Sequence, residues 1–493
     1  MEIRDQGSGI RAQRFRRLMS GSSLRKSSMK HLRMIPVMVA LGTSAWGQAD
    51  MAISNSHLPS APMPQGAQGT AGSQRAGQIP LQNKPTAPPT MLSLKDAQAL
   101  AIKNNPQISV ARLTALASEQ VTREVRSALW PQARVDVTAV DANPGTRLTA
   151  GALNNPILYQ RAAVGATVLQ RLTDFGRTTN LIGSANLAAK AQNQNALATK
   201  EQILLAVDQA FYNALQTQAL LTVAEQTVKD RQTVADQVGA LFRSKLKSEL
   251  DFSFASVNLA QAKLLLLDAQ SNLSAAQNAL SAVLGFQTLQ NFQLVEDSSL
   301  LGAPPENIDD LIAAAFTQRP EILGLEYQTE SAQRFQKAER DLLFPTIDAL
   351  GVVGDTPVRN PVISNWYGAV GVNVEIPVFN GFLFTARSHE AALRAEATKE
   401  KLRDTRDAIA RDVRNAWLNA KAAYDRLSVS QQLLDQANLA LNLSQSRYKL
   451  GLGSIVEVSQ AQLQQTQAQI SSVAAGYDYR LALAELQYQT TGL

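Results

Sequence analysis

The chain of 493 residues contains no cysteine. That excludes disulfides, thiolate metal sites and thiol nucleophiles. It also excludes a lipid-modified N-terminal cysteine, so any membrane attachment must come from the chain's own strands or helices. Histidine is scarce: His31, His57 and His389 are scattered without metal-ligand spacing, and no metal or other cofactor is expected. Gly451-Leu452-Gly453 has no preceding strand and no following Lys-Ser/Thr, so it reads as a turn rather than a phosphate loop. No constellation looks catalytic, which points away from an enzyme. A basic surface is missing too. The formal charge is +6, but residues 1–47 carry nine Lys or Arg against Glu2 and Asp5, which leaves the remainder with one net negative charge. A nucleic-acid partner loses its main support.

Residues 1–47 read as a signal peptide. Lys30, His31 and Arg33 precede the apolar run Met34–Leu41, and Ala45-Trp46-Gly47 offers small residues for cleavage. The run is too short to span a bilayer as a helix. Met29 is an alternative start, and the alternative to export is a disordered basic tail with a chance apolar patch. Residues 48–91, rich in Pro, Gln, Gly, Ala and Ser, read as a disordered linker.

Proline is also absent from two long stretches, Gly176 to Phe242 and Gly381 to Tyr448. Both are made of good helix formers. In the later stretch Val413, Ala420, Leu427, Leu434, Leu441 and Tyr448 fall seven apart. In the earlier one Val207, Ala214, Leu221, Val228, Ala235 and Phe242 do the same, 206 positions upstream. A helix of that length spans on the order of 100 Å, and its seven-residue repeat calls for partner helices. Ala416, Ala423, Ser430, Ala437 and Ser444 supply small residues beside the larger series.

The whole plan is duplicated. Asn105-Pro106 and Trp130-Pro131 recur as Arg319-Pro320 and Phe344-Pro345, each 214 positions later, and each marks where helix gives way. The first repeat covers 92–285, with a strand pair at 133–172 and long helices over 176–285. A connecting segment covers 286–307. The second repeat covers 308–493, with a strand pair at 346–378 and long helices over 381–490. Strand alternation is clearest where Val370, Val372, Val374 and Ile376 share one face, with Trp366 and Tyr367 at one end as interfacial aromatics. Soluble hairpins would alternate too. Four strands cannot close a transmembrane barrel, and open edges are not tolerated in lipid. If the strands lie in a membrane, several chains must share one barrel.

These features resemble the TolC-like outer-membrane efflux proteins over roughly Leu92 to Leu493. The resemblance rests on the duplicated plan, on Pro377-Val378-Phe379-Asn380-Gly381 at the strand-to-helix step, and on Arg447-Tyr448-Lys449-Leu450-Gly451 followed by Ser454-Ile455-Val456-Glu457-Val458 at the helical turn. Phe382 stands where the family has a second glycine. The resemblance implies a mainly α chain with a small β part. Duplicated long-helix hairpins would form a periplasmic α-barrel, and four strands per chain would contribute to a trimeric 12-stranded outer-membrane β-barrel. It further implies a homotrimer in outer-membrane lipid, docked to a periplasmic adaptor and driven by an inner-membrane pump of RND or ABC type.

Carried over by position, the resemblance places a periplasmic constriction at Tyr448, Glu457, Asp251 and Gln460. The adaptor-facing turns hold Phe242, Lys245, Gly451 and Gly453, and the strand-to-helix turns Gly176, Pro377, Phe379 and Gly381. Gly453 replaces a family arginine and Gln460 a frequent acid, so a closing network would need other bases, among Arg243, Lys245, Lys247 and Arg447. Helix capping explains Asp251 and Glu457 as well as gating does, and packing explains Tyr448. The implied function is a passive exit duct for small molecules, drugs or secreted protein. A dedicated type I protein secretion channel and a periplasmic coiled-coil scaffold are the alternatives.

Overall fold

The computed structural model describes residues 90–141, 161–290, 292–296, 302–356, 364–490 and 492. The expected signal peptide, and the expected linker up to residue 89, lie outside them. In chain order the elements are β1 (Thr90–Leu92), α1 (Leu94–Asn104), α2 (Pro106–Arg126), β2 (Gln132–Val140), β3 (Arg161–Thr173), α3 (Arg177–Arg243), α4 (Glu249–Val283), β4 (Phe292–Leu294), α5 (Ile308–Gln318), α6 (Pro320–Arg340), β5 (Thr346–Asp355), β6 (Trp366–Glu375), α7 (Leu383–Lys449) and α8 (Ile455–Thr490).

The proline-free stretches form α3 and α7, each of 67 residues. Pro106 and Pro320 open α2 and α6, where a missing N–H costs nothing. The preceding Asn105 and Arg319 are extended, so each short helix breaks from the next. The two breaks are anchored alike. Asn105 Nδ2 donates to the Val283 carbonyl at the end of α4 (2.9 Å), and Arg319 Nη1 donates to Gln489 Oε1 at the end of α8 (2.6 Å).

α3 is the central helix. It packs beside α2 and α6 in the half next to the strands and beside α4 and α8 in the other half, while α7 flanks α6 and α8. The result is a helical layer with α7 on one edge and α2 and α4 on the other. The heptad series is fully buried at Val207, Ala214, Val413 and Ala420 and partly buried at Leu434, Leu441 and Tyr448. The edges keep large apolar residues exposed: Leu250, Val257, Leu264 and Leu267 on α4, and Val429, Leu433, Leu439 and Leu443 on α7. Among the described residues α4 is the one helix long and apolar enough to cross a membrane, and only 11% of its most apolar window is buried.

Midway along the long helices lies the main core, where Val207, Phe211 and Leu280 meet Leu92, Ala97, Ala101 and Leu294. Each fully buried large apolar side chain there contributes about 1.5–3 kcal/mol. β1 and β4 pair in parallel and hold this belt. These short strands correct the sequence reading: the expected linker ends as β1, and the connecting segment 286–307 contains β4. Three-residue strands are too short to show a period. The same segment is tied down by Trp417 Nε1, which donates to the Pro305 carbonyl (2.6 Å), by Tyr479 Oη on the Gly302 carbonyl, and by the Arg480–Glu296 pair (2.9 Å).

The four longer strands form one antiparallel sheet ordered β2-β3-β5-β6, with β2 and β6 at its edges. Its register sorts the side chains. Val135, Val137, Val164, Val168, Val353, Val370, Val372, Val374 and Trp366 share one face, whereas Gln132, Arg134, Asp136, Thr167, Arg171, Asp348, Asn373 and Glu375 share the other. Arg171 and Asp348 pair on that polar face at 3.1 Å. β6 stops at Glu375 rather than Val378, because Pro377 cannot donate to a ladder.

One group works against the belt. Asp208 on α3 is 3% exposed among apolar neighbours, and Gln98 Nε2 donates to its Oδ1 at 2.7 Å. Burial raises its pKa to about 6, against the lowering effect of that hydrogen bond. Its folded pKa lies above the unfolded value, so the carboxylate costs stability above pH 6 and the cost fades as pH falls toward 4. Asp208→Asn should stabilise the protein at pH 7.5 by up to about 2–3 kcal/mol and by little near pH 4.5, read from thermal unfolding across that range.

Candidate functional site

The two inter-hairpin turns sit at the ends of α3 and α7 away from the sheet. They are built alike, 206 positions apart. Leu246 N donates to the Leu241 carbonyl and Leu452 N to the Arg447 carbonyl, both at 2.9 Å, closing each helix with a left-handed residue. In the second turn that residue is Gly451 (φ 72°), and in the first it is Lys245 (φ 57°). Each following helix then starts from a serine. Ser248 and Asp251 form a reciprocal capping box, with Ser248 Oγ donating to Asp251 Oδ2 at 2.7 Å. Ser454 Oγ accepts from Glu457 N at 3.2 Å.

From these caps two clusters arise. In the first, Tyr448 packs against Ala235, Val238, Ala255 and Ile455, and the Lys247 ammonium lies 3.9 Å from its ring centroid. Tyr448 Oη is buried without a hydrogen bond of good geometry. Burial first, and then the facing Asp251 carboxylate, push its pKa up to about 12. Asp251 therefore both caps α4 and faces Tyr448. In the second cluster the Glu457 carboxylate lies 3.7 Å from Arg447 Nε, and Arg447 Nη2 donates to the Leu452 carbonyl at 3.1 Å. A Cβ at Gly453 would come within 3.1 Å of Glu457 Oε2 and 3.2 Å of Arg447 Cβ, so the missing side chain lets this pair close over the turn. Gln460 is exposed and joins neither cluster. Phe242 stacks on Phe252, with centroids 5.6 Å apart.

Above the turns, Arg231 of α3 crosses to α8. Its Nη2 donates to the Gln462 carbonyl (2.7 Å) and to Thr466 Oγ1 (2.9 Å). Burial lowers its pKa to about 10. The sequence reading passed over Arg231. The signal was there: the corresponding position of α7 is Ala437, within the small-residue series.

At the opposite end, each strand enters its long helix through two residues of positive φ. These are Phe175 (54°) then Gly176 (108°) in the first copy, and Gly381 (64°) then Phe382 (66°) in the second. Gly176 is thus the counterpart of Phe382, not of Gly381. Pro377 lies just beyond β6, and exposed Phe379 meets Phe382 edge to face at 5.7 Å. The two aromatics at the far end of β6 part company. Trp366 lies on the apolar face, whereas Tyr367 lies on the polar face, its hydroxyl 2.8 Å from where a Cβ on Gly165 would stand.

A lysine in the left-handed region is strained by about 1–2 kcal/mol, which glycine avoids. Lys245→Gly should slow amide hydrogen exchange in the first turn by roughly fivefold, and Gly451→Lys should accelerate it in the second by a similar factor.

The family model for outer membrane efflux proteins matches residues 98–286 and 311–492. The outer membrane efflux protein BepC of Brucella suis biovar 1 is 22% identical over 396 residues, 79% of this chain and 83% of that one. The outer membrane protein TolC of Vibrio cholerae is 25% identical over 408 residues, 78% of this chain and 88% of that one. Among solved structures, the Campylobacter jejuni CmeC outer membrane channel superposes with a TM-score of 0.71 at 15% identity, over 81% of this chain and 85% of that one, a likeness of fold.

Proposed function

Because the chain belongs to the outer membrane efflux protein family, we propose that three copies close into one duct spanning the outer membrane and periplasm, gated at the helical turns. The chain itself is an outer-membrane efflux channel, and its family consists of passive channels. The observation that carries the trimer is the open sheet. Among the described residues β2 and β6 each leave one side unpaired, one face is apolar, and four strands are half the usual minimum for a closed barrel. Three copies supply twelve strands and pair every edge.

The helical layer supports the same closure. α7 of one chain would lie against α4 and α2 of the next, which covers Leu264 and Leu267 with Leu433 and Leu439. The apolarity of α4 is then the apolarity of an interface. Energy would come from an inner-membrane pump of RND or ABC type, joined through a periplasmic adaptor that grips the turns around Lys245 and Gly451. At the constriction, Glu457 repeats three times around the axis, a ring that favours cations, and Arg447 offsets part of its charge. The Lys247–Tyr448–Asp251 cluster would hold the two turns of one chain together while the duct is shut.

The absence of cysteine makes cross-linking free of background. Leu264 and Leu433 lie 15 and 16 residues from the turn ends of α4 and α7, at matching heights. A Leu264→Cys, Leu433→Cys double variant, extracted from membranes in detergent and oxidised, should run as covalent dimers and trimers. Recovery as a soluble, uncross-linked monomer would sink the trimeric duct. In planar bilayers Glu457→Ala should reduce cation preference and Arg447→Ala should raise it. Unchanged selectivity in both would leave Glu457 as a helix-end residue alone.

A further inference from the structure

The two copies of the duplicated plan correspond contact by contact. An offset of 214 for β2 and 206 for β3 turns their pairs into those of β5 with β6: Ala133–Val168 becomes Ile347–Val374, and Val140–Arg161 becomes Gly354–Tyr367. The same offsets turn the bond from Asn105 to Val283 into the bond from Arg319 to Gln489. One class of contact has no counterpart within the chain. β3 pairs with β5, and α3 packs on α6, where the first copy meets the second. Carried through the same offsets, these contacts become β6 against β2 and α7 against α2. Those elements lie at opposite edges of the sheet and of the helical layer. They can meet only between chains.

We infer that the junction between the two copies within the chain is the template for the junction between chains, and that it sets the register residue by residue. The inference rests on the shared duct proposed above and adds which side chains meet. For the strands, the pair Thr167–Val352 places Asn373 opposite Thr138 of the next copy, and Val168–Gly351 places Val374 opposite its Val137. Polar then meets polar and apolar meets apolar, whereas a slip of one residue would bring every side chain to the wrong face. Glu375 falls opposite Asp136, an unfavourable pair by itself. Arg134 lies on the same face two residues away and already pairs with Asp136 at 3.4 Å, which offsets the repulsion. For the helices, a Cβ on Gly324 of α6 would stand 3.4 Å from Gln194 Cβ of α3. The corresponding contact is Val110 of the next copy's α2 against Glu400 of α7. Likewise Lys190 over Tyr327 becomes Glu396 over Leu113. Val110 and Leu113 are 62% and 64% exposed, whereas Gly324 is buried and Tyr327 half-buried. Leu393, one turn before Glu396, is 74% exposed and falls in the same seam.

The test is oxidative cross-linking of paired cysteines in the full-length protein, in membranes, before extraction in detergent. Residues directly opposite across two strands have Cα atoms about 4.5–5.5 Å apart, within reach of a disulfide, whereas a slip of two residues leaves about 7–8 Å. The Thr138→Cys, Asn373→Cys variant should run as covalent trimers. It should form them at least about tenfold faster than the slipped controls Asp136→Cys, Asn373→Cys and Val140→Cys, Asn373→Cys. Val110→Cys, Glu400→Cys should behave likewise against its control one turn away, Val110→Cys, Asp404→Cys. This helical pair lies outside the sheet, so it tests the register even if the strand variants fail to insert. The Leu264→Cys, Leu433→Cys variant separates the two readings. If it cross-links while a matched pair in a folded variant does no better than its shifted control, the duct stands and the register is overturned. If no pair cross-links, both fall.

Discussion

The backbone of β2 and β6 sets the terms for everything else. Each edge strand leaves a row of N–H and C=O groups without partners, and in hydrocarbon each such group costs several kcal/mol. Among the described residues no spare strand covers them. In the proposed trimer other copies pair these edges, and on that reading the sheet enters the membrane only as the chains associate. The helical layer inherits this arithmetic. Its own edges, α7 on one side and α2 with α4 on the other, expose apolar residues at heights that three copies would bring together.

Duplication carries that constraint through the length of the molecule. Long helices and turns repeat at an offset of 206, whereas the landmarks upstream of the strands repeat at 214. The eight-residue difference falls between the paired strands, where the first copy has the longer connection. The copies have diverged where their chemistry differs. Phe242 answers to Tyr448, Lys247 to Gly453, and Asp251 to Glu457. A cation absent from one turn is therefore present in the other, where Lys247 lies over the Tyr448 ring.

Much of the fold was legible because strong local signals agreed with each other. The heptads from Val207 and Val413, the prolines at 106 and 320, and the alternation around Val370 all locate elements to within a residue or three. What escaped notice lacked a period. β1 and β4 are three residues each and exist only because they pair across the belt. Site residues were harder to read, since a carboxylate beginning a helix looks the same whether it caps or faces a neighbour. Asp251 does both: it closes a capping box with Ser248 and faces Tyr448. Arg231 was passed over because a single arginine in a long helix reads like any other; its burial and its bonds to α8 appear only in the fold.

The unbroken length of α7 has a mechanical consequence. Val413 is held in the belt core and Lys449 ends the helix 36 residues later, a lever arm of about 54 Å. A proline or a run of glycines would act as a joint and absorb motion. Without one, a tilt of about 5° at the belt carries the far end sideways by about 5 Å. A slight repacking among methyl groups midway along the molecule is thereby enlarged into a displacement as wide as a side chain.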